Sequence, residues 1–170
     1  MTSSESLLGL FPLGLVLLPG ELLPLHIFEE RYKRLIGESR ETGEAFGIVL
    51  RHEDSVAECG CTAEVTSVLE EFDDGRLNIV VQGRERFRLH ELYEPDDEND
   101  YLRARVTLYE DDEPAAPTKV LRQAESLYGR LLELADVEAE AGAGEGAEAS
   151  FRMAGTVAIR VSLVLPAARL

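Results

Sequence analysis

Positive charge is scarce in this sequence. Lysine occurs only at Lys33 and Lys119, and 17 Lys and Arg face 33 Asp and Glu, a formal net charge of −16 over 170 residues. Phosphate contact would be opposed over most of such a surface, which argues against nucleic acid and anionic membranes as partners. Cysteine is nearly absent, with Cys59 and Cys61 in one Cys-Gly-Cys string. Strand alternation puts both on one face, where a disulfide between them would be strained. A metal site would need further ligands, and His26, His52 and His90 have no ligand spacing to the pair. The two cysteines therefore read as reduced thiols of a cytoplasmic protein. A positively charged leader is missing, because Met1 to Ser6 contains Glu5 and no Lys or Arg. No unbroken apolar run is present either. Between Leu7 and Phe28, Pro12, Pro19 and Pro24 alternate with Gly9, Gly14 and Gly20, which excludes a spanning helix. The strings of a phosphate-cradling loop (Gly-x-x-x-x-Gly-Lys-Ser/Thr) and of a nucleophile elbow (Gly-x-Ser-x-Gly) do not occur. Neither lysine has the setting of a desolvated catalytic base. No catalytic residue, cofactor or metal is expected.

A hydrophobic share of 45% is ordinary for a globular protein, so a core can form. The opening apolar stretch reads as short strands joined by turns: Phe11–Leu18, a Pro19-Gly20 turn, then Leu22–Phe28. Phe28, Tyr32, Leu35, Ile36 and Ser39 share one face at helical spacing, and Gly43 suits the helix end. Glu29–Lys33 and Glu30–Arg34 form i,i+4 pairs on the opposite face. The near-continuous apolar run Phe46–Arg51 fits a strand buried on both faces, and His52–Glu58 is a polar loop. Thr62–Phe72 and Arg76–Gln82 flank Asp73-Asp74-Gly75, a hairpin signal, because Gly tolerates the positive φ of a tight turn. Gly83 suggests a bend where the backbone passes close to a neighbour.

Arg84–Leu92 alternates again, Phe87 and Leu89 on one face, Arg84, Arg86, Arg88 and His90 on the other. Tyr101–Tyr109 repeats the device, with Leu102, Ala104, Val106 and Leu108 inward and Arg103 and Arg105 outward. If these strands pair, the arginines form a basic stripe. It either neutralises nearby carboxylates or grips a carboxylate of a partner, since Arg presents a planar fork. Between them Glu94–Asp100 reads as a solvated loop without the glycine and spacing of a calcium loop.

The segment Glu110–Pro117 marks a change of composition and a boundary. A second helix follows. Val120, Ala124, Leu127, Leu131 and Leu134 line one face, and Leu121, Tyr128, Leu132 and Ala135 widen it, an arc that wants partners on more than one side. Val137–Ala149 is nearly all Ala, Gly and Glu, a flexible loop. Ser150 is a good N-cap for a last segment carrying Phe151, Ala154, Val157 and Val161. The end, Val161–Pro166, is apolar.

Pro12-Leu13, Pro19-Gly20, Pro24-Leu25-His26-Ile27-Phe28-Glu29 and Arg31-Tyr32 occur in an order that resembles the opening of the N-terminal, substrate-binding domain of the Lon protease. That domain is also found as a stand-alone protein. Gly60, Asp74-Gly75, and Gly83 with Arg86-Phe87 match its later strand signatures. The resemblance covers Leu8 to Leu108 well and the remainder weakly, since the family's leucine-rich helical bundle is not found after this point. The helical part is either truncated or its tail packs elsewhere, for example on another subunit.

The resemblance implies an α+β fold: a twisted, partly closed β-barrel of PUA-like type with one packed helix over residues 8–112, then a short helical arm over 113–170. It also implies recognition of protein substrates without catalysis, the ATPase and peptidase modules being absent. Unfolded or degron-bearing proteins and peptides would be the partners, with a protease or self-association through the apolar C-terminal segment as further ones. Apolar residues held outward by proline turns, Leu15, Leu17, Leu18, Leu22 and Leu23, would suit such clients, and an exposed sheet edge could add main-chain pairing. The same leucines could instead be core. The arginine stripe of Arg84, Arg86, Arg88, Arg103 and Arg105 completes the candidate surface. His26 could be imagined as a general base, but a strand residue whose ring finds a local partner is the plainer reading. Two other classes stay open: a barrel that binds a small molecule or nucleic acid, and an enzyme with an unrecognised pocket.

Overall fold

The computed structural model describes residues 5–109, 117–134, 151, 153 and 154. The chain divides into two compact units, Met1–Glu110 and Asp111–Leu170.

The first unit is built from β1 (Glu5–Leu13), β2 (Leu22–Ile27), α1 (Glu30–Thr42), β3 (Phe46–Arg51), β4 (Val56–Glu71), β5 (Leu77–Tyr93) and β6 (Arg103–Leu108). The six strands follow the order β2-β5-β4-β3-β1-β6, and β6 pairs again with β5. Hydrogen bonds therefore run in a ring through β5, β4, β3, β1 and β6, and β2 hangs on β5 outside that ring. All neighbours are antiparallel except β1 and β3, which run parallel with Leu10 opposite Gly47. This is the expected α+β architecture.

Alternation sorts the side chains. Leu77, Ile79, Val81 and Phe87 of β5 are buried, as are Ala104 and Val106 of β6. Phe46, Gly47, Ile48 and Val49 of β3 are buried in succession, as a strand covered on both faces requires. One core cluster gathers Phe11, Ile27, Phe46, Ile48 and Ile79 with Tyr32, Leu35 and Ile36 of α1; a second gathers Leu8, Leu10, Val49, Phe87 and Val106. Gly43 ends α1 in the left-handed conformation, φ 74°, and its amide donates to the Ser39 carbonyl. The Asp74-Gly75 turn forms as the sequence suggests, with Gly75 at φ 80° and the Phe72 amide donating to the Arg76 carbonyl at 2.9 Å.

Several boundaries differ from expectation. β1 starts at Glu5 and stops at Leu13, where its register with β3 runs out at Leu50, so Leu15–Leu18 is not strand. Phe28 is not on the helix face. Glu29 is the extended N-cap (φ −76°, ψ 137°), so Phe28 precedes the helix, out of phase with it, and is exposed. The helix pairs are Glu29 with Arg31, Glu30 with Lys33 and Glu38 with Arg34, rather than Glu29–Lys33 and Glu30–Arg34. β4 begins at Val56, inside the expected loop. Arg84–Leu92 is no separate strand but the second half of β5. Asp100 is buried against Arg103, although it closes the loop read as solvated. Cys59 is exposed and Cys61 buried, both free; burial pushes the Cys61 thiol up to about 11.

In the second unit, α2 (Thr118–Leu134) buries Leu132 and leaves Val120, Leu127, Leu131 and Leu134 exposed. Phe151, Met153 and Ala154 are helical. The Val137–Ala149 loop, the Ser150 cap and the apolar end at Val161–Pro166 lie outside the described residues.

Gly83 carries the tightest constraint. A Cβ there would lie 2.2 Å from the Leu18 carbonyl oxygen and 3.2 Å from Leu17 Cγ. The blocking atom is backbone, so it cannot swing aside. Gly83→Ala is expected to destabilise the first unit by about 2 kcal/mol or more, read as a lower urea midpoint with an unchanged slope.

Candidate peptide-binding surface

The segment from Gly14 to Phe28 places the candidate leucines. The turn at Pro19-Gly20 closes with the Glu21 amide donating to the Leu18 carbonyl at 3.1 Å, Gly20 supplying φ 79°. The Glu21 carboxylate caps the Leu18 amide at 2.9 Å. Beyond the turn, β2 pairs with β5 from Leu22 opposite Gln82 to Ile27 opposite Leu77. Strand alternation sends Leu23, Leu25 and Ile27 toward the core and leaves Leu22, Pro24 and His26 exposed.

The five leucines thus separate. Leu22 is 55% exposed and Leu15 37% exposed; Leu18 and Leu23 are half-buried, Leu23 against the core; Leu17 is 4% exposed and belongs to the core. Within residues 14–28 the sequence reading misses two exposed apolar residues, Val16 (61%) and Phe28 (60%). Val16 lies in the same run as Leu15. Phe28 continues the outward set Leu22, Pro24, His26, a signal hidden by assigning it to the helix.

On the outer face His26 donates from Nδ1 to Asn78 Oδ1 at 2.7 Å, and Asn78 Nδ2 donates to Glu70 Oε2 at 2.9 Å. The ring lies 5.9 Å from Phe28 and 6.2 Å from Phe72. His26 is therefore a strand residue with a local partner. A cavity of about 170 Å³ opens beside it, lined among others by Phe11, Leu13, Leu25, Phe28 and Tyr32, with Glu29 and Arg51.

The arginines are largely occupied. Arg84 meets Glu64 at 2.9 Å, and Arg105 meets Glu91 at 3.0 Å and Glu5 at 3.8 Å. Arg103 forks onto Asp100 at 2.7 and 3.1 Å and stacks over the Tyr101 ring. Arg86 is half-buried with its guanidinium 5.4 Å from the Tyr109 ring centroid. Arg88 is exposed opposite Thr107 and Cys59. β5 and β6 do pair, but Glu91 interrupts the stripe by standing opposite Arg105.

The model of the ATP-dependent protease La (LON) substrate-binding domain matches residues 8–158. The chain belongs to this family. Among curated relatives, the Lon protease of Parabacteroides distasonis is 34% identical over 129 residues, which is 71% of this chain and 15% of the relative. The Lon protease of Porphyromonas gingivalis is 32% identical over 106 residues, 58% of this chain and 12% of the relative. The chain thus spans at most 15% of the length of these relatives. A Lon N-terminal domain protein from Xanthomonas campestris superposes with a TM-score of 0.62 at 29% identity, covering 76% of this chain and 72% of its own. The N-terminal domain of the Mycobacterium avium complex Lon protease shares the fold, with a TM-score of 0.59 at 19% identity, covering 77% and 68%. The matched model is that of the substrate-binding domain, which supports a role in substrate recognition and does not favour the nucleic-acid alternative. No helix among the described residues is long and apolar enough to cross a membrane.

Asp100 joins α1 to this sheet: Arg34 approaches it at 3.6 Å while holding Glu38 at 2.9 Å, and the Tyr101 hydroxyl donates to Glu38. The Arg103 fork holds the Asp100 carboxyl below its ordinary range, and the Tyr101 hydroxyl does the same for Glu38. Groups with depressed folded values stabilise above their unfolded values and lose that contribution as pH falls through the folded ones. The urea midpoint should therefore drop as pH falls below about 5, and drop less in Asp100→Asn.

Proposed function

We propose that this chain recognises protein substrates as unfolded or extended segments and performs no chemistry on them. The observation that carries this reading is the set of large apolar side chains held outward along β2 and the segment leading into it: Leu15, Val16, Leu22 and Phe28. Side chains of this size in water are held at a cost unless something covers them. Turn geometry at Gly20 and pairing with β5 keep the strand in place, so the surface is preformed and little order is lost on binding. A site for unfolded polypeptide must accept many sequences, and apolar burial does so because it is not directional. The family to which the chain belongs supports the same role.

Recognition without catalysis is the reading that suits the sequence strings noted above and the histidine nearest the cavity, which is engaged with Asn78. The partners implied are unfolded or degron-bearing proteins and a protease that receives them, in the cytoplasm. The arginines contribute little under this reading, since Arg84, Arg103 and Arg105 already hold carboxylates of the chain itself.

A fluorescently labelled, permanently unfolded polypeptide is the direct probe. Leu22→Asp is expected to weaken its binding about tenfold or more, with the urea midpoint of the variant unchanged because Leu22 is exposed. Affinity should change little between about 0.05 and 0.5 M salt, unlike phosphate-driven binding. Wild type that captures no unfolded polypeptide, or a Leu22→Asp variant that binds as wild type does, overturns the reading.

A further inference from the structure

β2 is an edge strand, since the strand order ends with it. Its phase on β5 is set by the Gly83 amide, which donates to the Glu21 carbonyl at 2.9 Å. In an antiparallel ladder hydrogen-bonded pairs alternate, so with Leu22 opposite Gln82 the pairs that exchange bonds with β5 are Leu23–Val81, Leu25–Ile79 and Ile27–Leu77. The backbone groups of Leu22, Pro24 and His26 then point away from β5. Two further observations agree. Proline, which has no N–H to give to a ladder, occupies one of the outward positions. Val80, opposite Pro24, turns its carbonyl toward β4, where it accepts the Thr66 hydroxyl at 3.0 Å. Two amides and three carbonyls thus stand on an edge with no strand beside it among the described residues.

The inner side of this edge is also incompletely covered, because Leu23 and Leu25 are only half-buried. β1 has a matching gap: its pairing with β6 ends at Gly9, and from Phe11 to Leu13 its one strand partner among the described residues is β3. The cavity of about 170 Å³ is lined by both, by Phe11 and Leu13 of β1 and by Leu25 and Ile27 of β2, with Phe28 beyond. Cavities of about 150 Å³ hold a benzene ring, so one aromatic or large aliphatic side chain is the right size of occupant.

We propose that the outer edge of β2 takes one extended segment of a protein substrate by strand addition, with one large apolar side chain of that segment in the cavity beside Phe28. This rests on the substrate-recognition reading above and adds how the segment is held. Main-chain bonds to Leu22, Pro24 and His26 supply affinity that ignores sequence, and the cavity supplies a preference for an aromatic or long aliphatic residue. A chain of net charge −16 repels acidic segments, so the preferred segment is apolar with neutral or basic neighbours.

The probe is a fluorescent nonapeptide of alternating lysine and valine with a central phenylalanine. Two further versions carry N-methyl groups on one or the other alternate set of backbone amides, which removes donors on one edge of the peptide and leaves its side chains unchanged. Strand addition predicts that one methylated version binds about tenfold or more weakly and the other as the parent does. Replacing the phenylalanine by alanine, or the lysines by glutamates, weakens binding. In the full-length chain, hydrogen exchange at the amides of Leu22 and His26 slows on saturation with the parent peptide. If both methylated versions bind as the parent does and these amides exchange unchanged, strand addition is wrong while the apolar surface tested by Leu22→Asp stands. If neither the peptide nor the unfolded polypeptide binds, both readings fall. Protection of the two amides in a peptide-free dimer would assign the edge to a second copy of the chain and overturn the proposal.

Discussion

β5 changes partners between Gln82 and Phe87, and the rest of the first unit depends on that change. From Leu77 to Gln82 it lies between β4 and β2; from Phe87 to Tyr93 it pairs with β6 and so closes the ring. Gly83 stands at the junction, where the turn entering β2 presses the Leu18 carbonyl onto its backbone. The same contact sets the ladder phase of β2 through the Gly83–Glu21 bond. One missing Cβ therefore couples closure of the ring to the placement of the strand that carries the exposed apolar side chains.

The consequence for β2 is an unusual division of labour. Its inner residues Leu23, Leu25 and Ile27 join the core, while its outer edge is left unpaired in a position where proline is tolerated. An open edge invites aggregation unless it is blunted. Here the blunting is partial: Pro24 removes one donor, the strand is short, and the chain around it is strongly acidic. These devices discourage pairing between copies of one acidic chain more than pairing with a neutral or basic segment. The His26–Asn78–Glu70 relay keeps the polar groups of the outer face satisfied without covering the edge.

Local turn chemistry and alternation were legible in the sequence, and long-range placement was not. The Asp74-Gly75 hairpin, the Gly43 helix stop, the buried run Phe46–Val49 and the close approach at Gly83 all follow from what glycine permits and what alternation buries. Phe28 was misplaced because a helix and an extended N-cap share the same apolar spacing over one turn, and only the backbone of Glu29 separates them. Leu17 and Leu15 could not be told apart, because the segment Leu15–Leu18 is neither strand nor helix and has no period to read. The burial of Asp100 depends on Arg103, which is close in sequence, and on Arg34, which is distant and reaches it only through the packing of α1.

The occupied arginines sharpen what kind of recognition this surface can perform. An incoming carboxylate would have to displace Asp100 from Arg103, where the bond is bidentate and Asp100 is buried, or Glu64 and Glu91 from Arg84 and Arg105. Displacing the buried partner would leave an uncompensated charge, which costs more than an exposed ion pair returns. At Arg103, then, the chain's own buried pairing competes with an incoming carboxylate, whereas the exposed pairs at Arg84 and Arg105 oppose one only weakly. The surface also offers the exposed side chains of Leu22 and Phe28 and, among the described residues, the unpaired edge of β2. Under the proposed reading both suit unfolded polypeptides, which expose apolar side chains and backbone that folded ones bury.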